Sequence, residues 1–270
     1  MVEYTDFSSW YDGIYRDKSP VIKAARSFKI TDGKKEATLL VHGYAGYPGE
    51  FFSLAASLAP YSDIYCPRLP GMGTSGDDFV HTSEKDWLCL VSSAIEDLRN
   101  RYEKLYIVAH SMGASLSLSE KADKIVLAAP AFRLKSNVPT LFLKGLEKDN
   151  KILSLPWKSD SSYRMHYPGA PDDDEMLGKE YWSHLYPSQF LSLKRLMKSA
   201  RKKIETLSTP SLLILAKEDQ IVRNITHFSN PNVSIAFVED GTHYLFYDKS
   251  EDAEKKAIAL TKDFLFPSSY

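Results

Sequence analysis

Apolar runs and amphipathic segments alternate along most of the chain. Six apolar runs rich in β-branched and aromatic residues predict buried strands at 36–42, 62–70, 104–110, 123–130, 210–216 and 232–240. Apolar residues at helical spacing predict helices at 49–60, 83–102 and 251–266, and a further helix that starts at Ser111. Alternation of this kind is typical of crossover units. It predicts an α/β fold with a mostly parallel central sheet and helices on both faces.

The alternation stops between Ala131 and Leu207. This segment is rich in proline, aspartate and aromatic residues, and it lies between two predicted strands. Disordered segments are poor in aromatic residues, so an ordered insertion is favoured over a disordered excursion. The sequence therefore predicts a core domain from 1–130 and 208–270, with a cap or lid insertion at 131–207 covering one edge of the sheet.

Composition narrows the classes of partner. The chain has 270 residues and a formal net charge of -1, which gives no electrostatic basis for binding nucleic acid. No apolar run is long enough to span a bilayer, so no stable membrane insertion is expected. The first residues lack a cationic start followed by an apolar run, so we expect no secretory signal and a cytoplasmic location. The sequence leaves both a monomer and a homo-oligomer open.

The cysteines and histidines give no cofactor signal. The two cysteines form no metal or redox motif, and no pair of the seven histidines has the spacing of metal ligands. We therefore expect neither a metal nor an organic cofactor. Any chemistry then has to come from side chains and backbone groups alone.

A serine stands where the predicted strand 104–110 meets the next helix. The letters AHSMG at 109–113 match the G-x-S-x-G nucleophile elbow, except that alanine replaces the first glycine. Such a turn lifts the serine hydroxyl clear of the sheet and directs helix N–H groups towards a reacting oxygen. The alternative is a serine that only caps a helix. The strand before Ser111 and the helix after it favour a nucleophile.

A serine hydroxyl needs a base, and on this scaffold the chain order is serine, acid, histidine. Asp219 and His243 each lie just past the end of a predicted strand. The carboxyl ends of parallel strands meet at one edge of a sheet, so we expect these side chains to meet the serine there. Glu218 and Asp240 are the alternative acids, although Asp240 is too near His243 in sequence to orient it easily. His110 is expected to point away from the serine.

An acyl-transfer site also needs hydrogen-bond donors for the oxyanion. The letters LLVHGYAG at 39–46 end a predicted strand with His-Gly. The backbone N–H of Tyr44 is predicted to be one donor, and the N–H of Met112 the other. A His-Gly pair alone would indicate a simple turn. Beside the elbow it indicates an oxyanion loop.

Several motifs together carry a family resemblance. The stretches LLVHGYAG, RLPGMGTSGDDF, VAHSMGAS, AAPAF, LILAKEDQIV and GTHYLF occur in the order seen in the α/β-hydrolase superfamily. The chain resembles bacterial carboxylesterases and monoacylglycerol lipase-like serine hydrolases over 36–130 and 208–266. It departs from them at Ala109 and in the short segment before residue 36. The resemblance also implies that GMGTSG at 71–76 is a loop near the active-site mouth. This loop follows a proline and opens no apolar helix, so it is not a dinucleotide fingerprint.

The resemblance implies a serine hydrolase that cleaves a small carboxylic ester, either a short-chain acyl ester or a monoglyceride, through an acyl-enzyme on Ser111. An amidase, a peptidase or a carbon–carbon bond hydrolase on the same three residues is the alternative, and a non-catalytic binding module is a further one. In such families the cap sets substrate choice. Trp157 and Trp182 in the insertion are candidate substrate-binding residues.

Overall fold

The structure is a computed structural model that describes residues 1–136, 138–156 and 178–267. The described residues form ten strands, β1 (Val2–Tyr4), β2 (Phe28–Ile30), β3 (Glu36–Val41), β4 (Asp63–Cys66), β5 (Lys104–His110), β6 (Lys124–Ala128), β7 (Leu153–Ser154), β8 (His184–Leu185), β9 (Ser211–Ala216) and β10 (Val233–Val238). Their α-helices are α1 (Phe52–Leu58), α2 (Gly76–Phe79), α3 (Glu84–Arg101), α4 (Met112–Leu116), α5 (Thr140–Lys148), α6 (Pro187–Lys203) and α7 (Glu251–Leu265).

Eight of the strands form one sheet in the order β1-β2-β4-β3-β5-β6-β9-β10. Every neighbouring pair from β4 to β10 is parallel, whereas β2 pairs antiparallel with both β1 and β4. Parallel strands are buried on both faces, which explains why their sequences are continuous apolar runs. The mostly parallel sheet predicted from the sequence is confirmed.

The strands send their side chains alternately into two cores. Leu39 and Val41 of β3 and Ile107 of β5 belong to one core, which α3 and α6 cover. Leu40 of β3 and Val108 of β5 belong to the other, which α1 and α7 cover. Successive side chains of a strand point to opposite faces, so each apolar run supplies both cores. Helices therefore cover both faces of the sheet, as predicted.

Several predicted elements are shorter in the structure, and strands β1, β2, β7 and β8 were not predicted. Strand β4 ends at Cys66 because Pro67 has no N–H with which to continue the ladder. Helix α4 ends at Leu116. The segment before residue 36 contributes β1 and β2, each three residues long. Strands this short carry too little periodicity to be predicted from sequence.

The predicted insertion contains described elements at both of its ends. Helix α5 packs against α6, and β7 pairs antiparallel with β8. Helix α6 also packs against α3 and α4, and Leu193, Leu196 and Ala200 of α6 join the first core. The boundaries 131–207 stay a prediction. Within the described ranges, no helix combines the length and apolar character needed to cross a membrane.

Candidate active site

Ser111 lies on a strained turn between β5 and α4. Its φ of 53° and ψ of -116° lie outside the regions that most side chains occupy. Neighbouring backbone holds the turn on both sides. The Ser111 N–H donates to the carbonyl of Ala128 at 3.0 Å, and the Ala131 N–H donates to the carbonyl of Ser111 at 3.0 Å. Strained backbone persists where surrounding hydrogen bonds over-determine it, and such positions cluster at functional sites.

The turn passes so close to β3 that position 113 has no room for a side chain. A Cβ on Gly113 would lie 2.1 Å from the carbonyl oxygen of Val41 and 2.6 Å from that of His42. Position 109, at the other end of the motif, is different. Ala109 is fully buried in the sheet and accommodated there. The elbow therefore tolerates alanine at its first small position but needs glycine at its last.

Three side chains that the sequence predicted to meet lie within hydrogen-bond distance of one another. His243 Nε2 is 2.9 Å from Ser111 Oγ, and His243 Nδ1 is 2.8 Å from Asp219 Oδ2. The other carboxylate oxygen of Asp219 accepts the N–H groups of Ile221 at 2.7 Å and Val222 at 2.8 Å. Serine, histidine and aspartate are 8%, 5% and 1% exposed. The contacts form one hydrogen-bonded series of three buried side chains.

The surroundings of these three hydrogen-bonded side chains leave His243 neutral. Burial raises the pKa of Asp219, but the hydrogen bond from His243, its charge and two backbone N–H donors outweigh burial and hold that pKa below its usual range. Burial also lowers the pKa of His243 below its ordinary value, and the contact with Asp219 offsets only part of this. At neutral pH, His243 Nδ1–H therefore faces the carboxylate. The lone pair of Nε2 faces the Ser111 hydroxyl.

The loop after β3 lies against Ser111. A Cβ on Gly43 would lie 3.0 Å from Ser111 Cβ and 3.5 Å from its Oγ. The buried ring of His42 holds this loop, since its Nε2 accepts the Leu69 N–H at 2.9 Å and its Nδ1–H donates to the Gly43 carbonyl at 3.0 Å. Burial lowers the pKa of His42 to about 4, so the ring is neutral and can act as acceptor and donor at once.

Tyr44 and Met112, the two predicted oxyanion donors, directly follow Gly43 and Ser111 in the chain. Within the described part of the chain, the backbone N–H groups of Tyr44 and Met112 have no hydrogen-bond partner. Met112 is the first residue of α4, where helix N–H groups have no intrahelical acceptor. Both groups therefore keep their hydrogen-bonding capacity, and their role as oxyanion donors stays a prediction.

The side chain of Tyr44 belongs to an aromatic cluster. Its ring meets those of Phe79, Trp87 and Phe190 edge-on, with centroids 5.3, 6.2 and 6.4 Å away. Trp182, a candidate binding residue, is 43% exposed at the end of a π-helical turn, Gly178–Trp182. Its role stays a prediction. The other candidate, Trp157, lies outside the described residues.

The two alternative acids lie near His243 but do not face its Nδ1 atom. Glu218 and Asp240 are exposed, and the Nδ1 atom of His243 faces Asp219 instead. Together with His243, Glu218 and Asp240 line a cleft of about 210 Å³. Among the described residues, no group of three or more His, Cys, Asp or Glu side chains could hold a metal ion.

Sequence reasoning missed a buried polar pair beside the chain of contacts. His110 points away from Ser111, as expected, and its Nδ1 is 3.2 Å from Oε1 of Glu50. Glu50 lies in a 3₁₀ helix, Pro48–Phe51, and is 1% exposed. A single glutamate at the start of a predicted amphipathic helix normally faces solvent, so the sequence gives no sign of its burial.

Comparison with known proteins places these features in a family. A model of the alpha/beta hydrolase family matches residues 38–255. The thermostable monoacylglycerol lipase of Bacillus sp. (strain H-257) is 26% identical over 209 residues, which are 76% of this chain and 79% of that protein.

Solved structures show the same fold at lower sequence identity. One of them is described with LipS and LipT, two metagenome-derived lipolytic enzymes. It has a TM-score of 0.74 and 19% sequence identity, and the match covers 91% of this chain and 99% of that chain. The Paleococcus ferrophilus monoacylglycerol lipase has a TM-score of 0.67 and 20% identity, covering 87% and 97%. A soluble variant of Saccharomyces cerevisiae monoglyceride lipase has a TM-score of 0.71 and 15% identity, covering 93% and 94%. The chain belongs to the alpha/beta hydrolase family, as its motifs predict, and is a lipase-like enzyme of that family.

Proposed function

We propose that the protein is a serine carboxylesterase that cleaves a small carboxylic ester, a short-chain acyl ester or a monoacylglycerol. The observation that carries the proposal is the continuous chain from Ser111 Oγ through His243 to Asp219, with contacts of 2.9 and 2.8 Å. Its position beside two N–H groups without partners supports acyl-transfer chemistry. The lipolytic enzymes among its relatives support an ester as the substrate class.

In the first half-reaction, Ser111 Oγ attacks the ester carbonyl carbon while His243 Nε2 takes the hydroxyl proton. The carbonyl oxygen becomes an oxyanion and accepts hydrogen bonds from the N–H groups of Tyr44 and Met112. When the tetrahedral intermediate collapses, the bond between the acyl carbon and the alcohol oxygen breaks. The imidazolium of His243 gives its proton to the departing alcohol, and Asp219 stabilises that imidazolium while it exists.

The second half-reaction repeats these steps with water. His243 Nε2 takes a proton from a water molecule, whose oxygen attacks the acyl carbon of the Ser111 ester. The same two N–H groups bind the new oxyanion. Collapse of the intermediate releases the carboxylic acid, and the proton on His243 returns to Ser111 Oγ, which restores the resting state.

The insertion at 131–207 is proposed to be a cap that decides which acyl and alcohol groups fit. Hydrolysis of an amide or a carbon–carbon bond would use the same three side chains. Turnover of p-nitrophenyl butyrate against the matched butyranilide separates an esterase from an amidase. We expect the ester to be cleaved at least about 100-fold faster, in line with its better leaving group. Faster cleavage of the anilide would contradict the assignment.

Covalent labelling tests the proposal directly. A fluorophosphonate probe should add once per chain at Ser111, with loss of fluoride, because His243 activates this hydroxyl. Mass spectrometry of the digested protein identifies the labelled residue. Ser115 is the matched control, since it is 9% exposed on the same short helix and donates only to the carbonyl of Ala131. The Ser115→Ala variant should label as the wild type does. Absence of label, or label at another residue, would refute the proposal.

The pH dependence of the reaction should reflect the burial of His243. The neutral imidazole is the active form, and burial lowers its pKa below the ordinary value. We expect kcat/KM to stay on its plateau through neutral pH and to fall only below about pH 6.5, with a single acid limb. Initial rates with p-nitrophenyl butyrate across a buffered pH series measure the midpoint. A midpoint above the ordinary histidine value would contradict the expectation.

A further inference from the structure

A second buried histidine touches the reacting residues, and the ester mechanism does not use it. His110 is 3% exposed and Glu50 is 1% exposed. The Nδ1 atom of His110 is 3.2 Å from Glu50 Oε1, and its Nε2 donates a hydrogen bond to the backbone carbonyl of His243 at 2.8 Å. The ring of His110 thereby links a buried carboxylate to the backbone of the proposed base.

The hydrogen-bond partners define where the protons of this pair lie. A carbonyl oxygen only accepts, so Nε2 of His110 must carry a hydrogen. Burial lowers the pKa of His110, but the charge and hydrogen bond of Glu50 more than offset burial and raise it above the ordinary value. A hydrogen bond between Nδ1 of His110 and Oε1 of Glu50 therefore needs one further proton, which the two groups share. A buried polar pair of this kind rarely adds stability over apolar packing, so its place beside the site points to a functional role.

The pair joins three segments that meet at the site. Glu50 follows the loop that carries Tyr44, and a Cβ on Gly46 of that loop would lie 3.2 Å from Glu50 Oε2. His110 is the last residue of β5, directly before Ser111. The rings of His110 and His243 lie 5.0 Å apart between centroids. One contact network thus spans the oxyanion loop, the elbow and the loop that bears His243.

We propose that His110 and Glu50 are positioning residues for ester hydrolysis. His110 holds the backbone carbonyl of His243, which keeps His243 Nε2 within reach of Ser111 Oγ. Glu50 in turn holds the ring of His110. This inference rests on the serine carboxylesterase function proposed above, and it concerns residues that touch neither substrate nor the reacting atoms.

The expected effect follows from how sharply proton transfer depends on geometry. A displacement of about 1 Å at a reacting group costs about 100-fold in rate. His110→Leu removes the donor to the His243 carbonyl, so we expect kcat for p-nitrophenyl butyrate to fall about 100-fold. KM should change by less than about threefold, because neither residue contacts the ester.

A conservative variant should rescue each position. The amide nitrogen of His110→Gln can occupy the place of Nε2 and donate to the same carbonyl. The amide of Glu50→Gln can donate to Nδ1 of a neutral His110, which leaves Nε2–H on the carbonyl. Both glutamine variants should retain kcat within about fivefold of wild type, whereas Glu50→Leu should lose at least about tenfold.

A matched control separates positioning from general loss of stability. Thr38 Oγ1 and Ser62 Oγ form a buried hydrogen bond of 2.6 Å away from the three reacting side chains. Thr38→Val removes it at constant shape and should lower Tm without changing kcat by more than about twofold. Melting curves of all variants are recorded beside their rates.

Three results would overturn the inference. In the first, the leucine variants keep kcat within about threefold of wild type; in the second, glutamine rescues no better than leucine. In the third, Thr38→Val lowers kcat as much, for each degree of Tm that it loses, as His110→Leu does. If His110→Leu does not fold, the comparison of Glu50→Gln with Glu50→Leu decides between these outcomes. If wild type and Ser111→Ala hydrolyse the ester equally, the proposed function fails instead, so the two failures are distinguishable.

Discussion

Replacing Ser111 by alanine should lower kcat for p-nitrophenyl butyrate by about 10⁴- to 10⁶-fold, with KM within about threefold of wild type. Alanine removes the atom that forms the acyl-enzyme, while the surfaces that bind the ester stay in place. His243→Ala should lose a similar factor, since the hydroxyl of Ser111 is a poor nucleophile without its base. Steady-state rates of purified, folded variants measure both effects.

The effects of Ser111→Ala and His243→Ala on kcat should not be additive. Side chains that act as one unit lose nearly all of their effect when any one is removed. The double variant Ser111→Ala with His243→Ala is therefore expected to be no slower than either single variant. Losses that multiply would show that the two residues act independently, which contradicts the chain of contacts from Ser111 to His243.

The role of Asp219 is tested by a substitution that removes its negative charge and keeps the shape of the side chain. Asp219→Asn presents an amide to Nδ1 of His243 and favours the tautomer with the proton on Nε2, which can no longer accept from Ser111. A loss of about 10⁴-fold in kcat is expected. Asp240→Asn is the matched control, because Asp240 is exposed and His243 Nδ1 faces Asp219. A larger loss at 240 than at 219 would reassign the acid.

Gly113→Ala should have the largest effect on stability. Its Cβ would lie 2.1 Å from the carbonyl oxygen of Val41, and the nearby obstacles are backbone atoms of β3 that cannot rotate away. We expect a loss of at least about 4 kcal/mol in the free energy of unfolding, the scale of severe single substitutions. In a domain of this size that lowers Tm by about 10 °C or more.

Gly145→Ala is the control for this prediction. Gly145 is exposed in α5, and a Cβ there would meet nothing within 4 Å. Alanine is a better helix former than glycine by about 1 kcal/mol, so Tm should rise by about 2–4 °C. Thermal unfolding followed by circular dichroism measures both variants. A Gly113→Ala protein that melts within about 3 °C of wild type would show that β3 and the elbow can separate at little cost.

Local sequence pattern was enough to predict most of the sheet and the candidate site residues. A buried parallel strand needs a continuous apolar run, which is readable within a few residues, and the strand 104–110 was predicted with its observed bounds. Parallel topology then brings the carboxyl ends of strands to one edge. For this reason Ser111, Asp219 and His243 could be expected together although they are far apart in the chain.

Local pattern failed where a structure depends on a distant partner. Strands β1 and β2 are three residues long and exist only because β4 pairs with β2. The polar character of Glu50 predicts exposure, yet the fold buries it against His110, sixty positions away.

The sequence by itself determined the alternating strands and helices of the parallel part of the sheet, the position of the elbow and the residue types at the strand ends. Hydrophobic burial imposes those patterns on neighbouring residues. Only the tertiary structure decided that Asp219, and neither Glu218 nor Asp240, faces His243. It also decided that His110 contacts both the Glu50 carboxyl group and the His243 carbonyl. Hydrogen bonds depend on distances of a few tenths of an ångström between segments remote in the chain, and those distances exist only after the cores have packed.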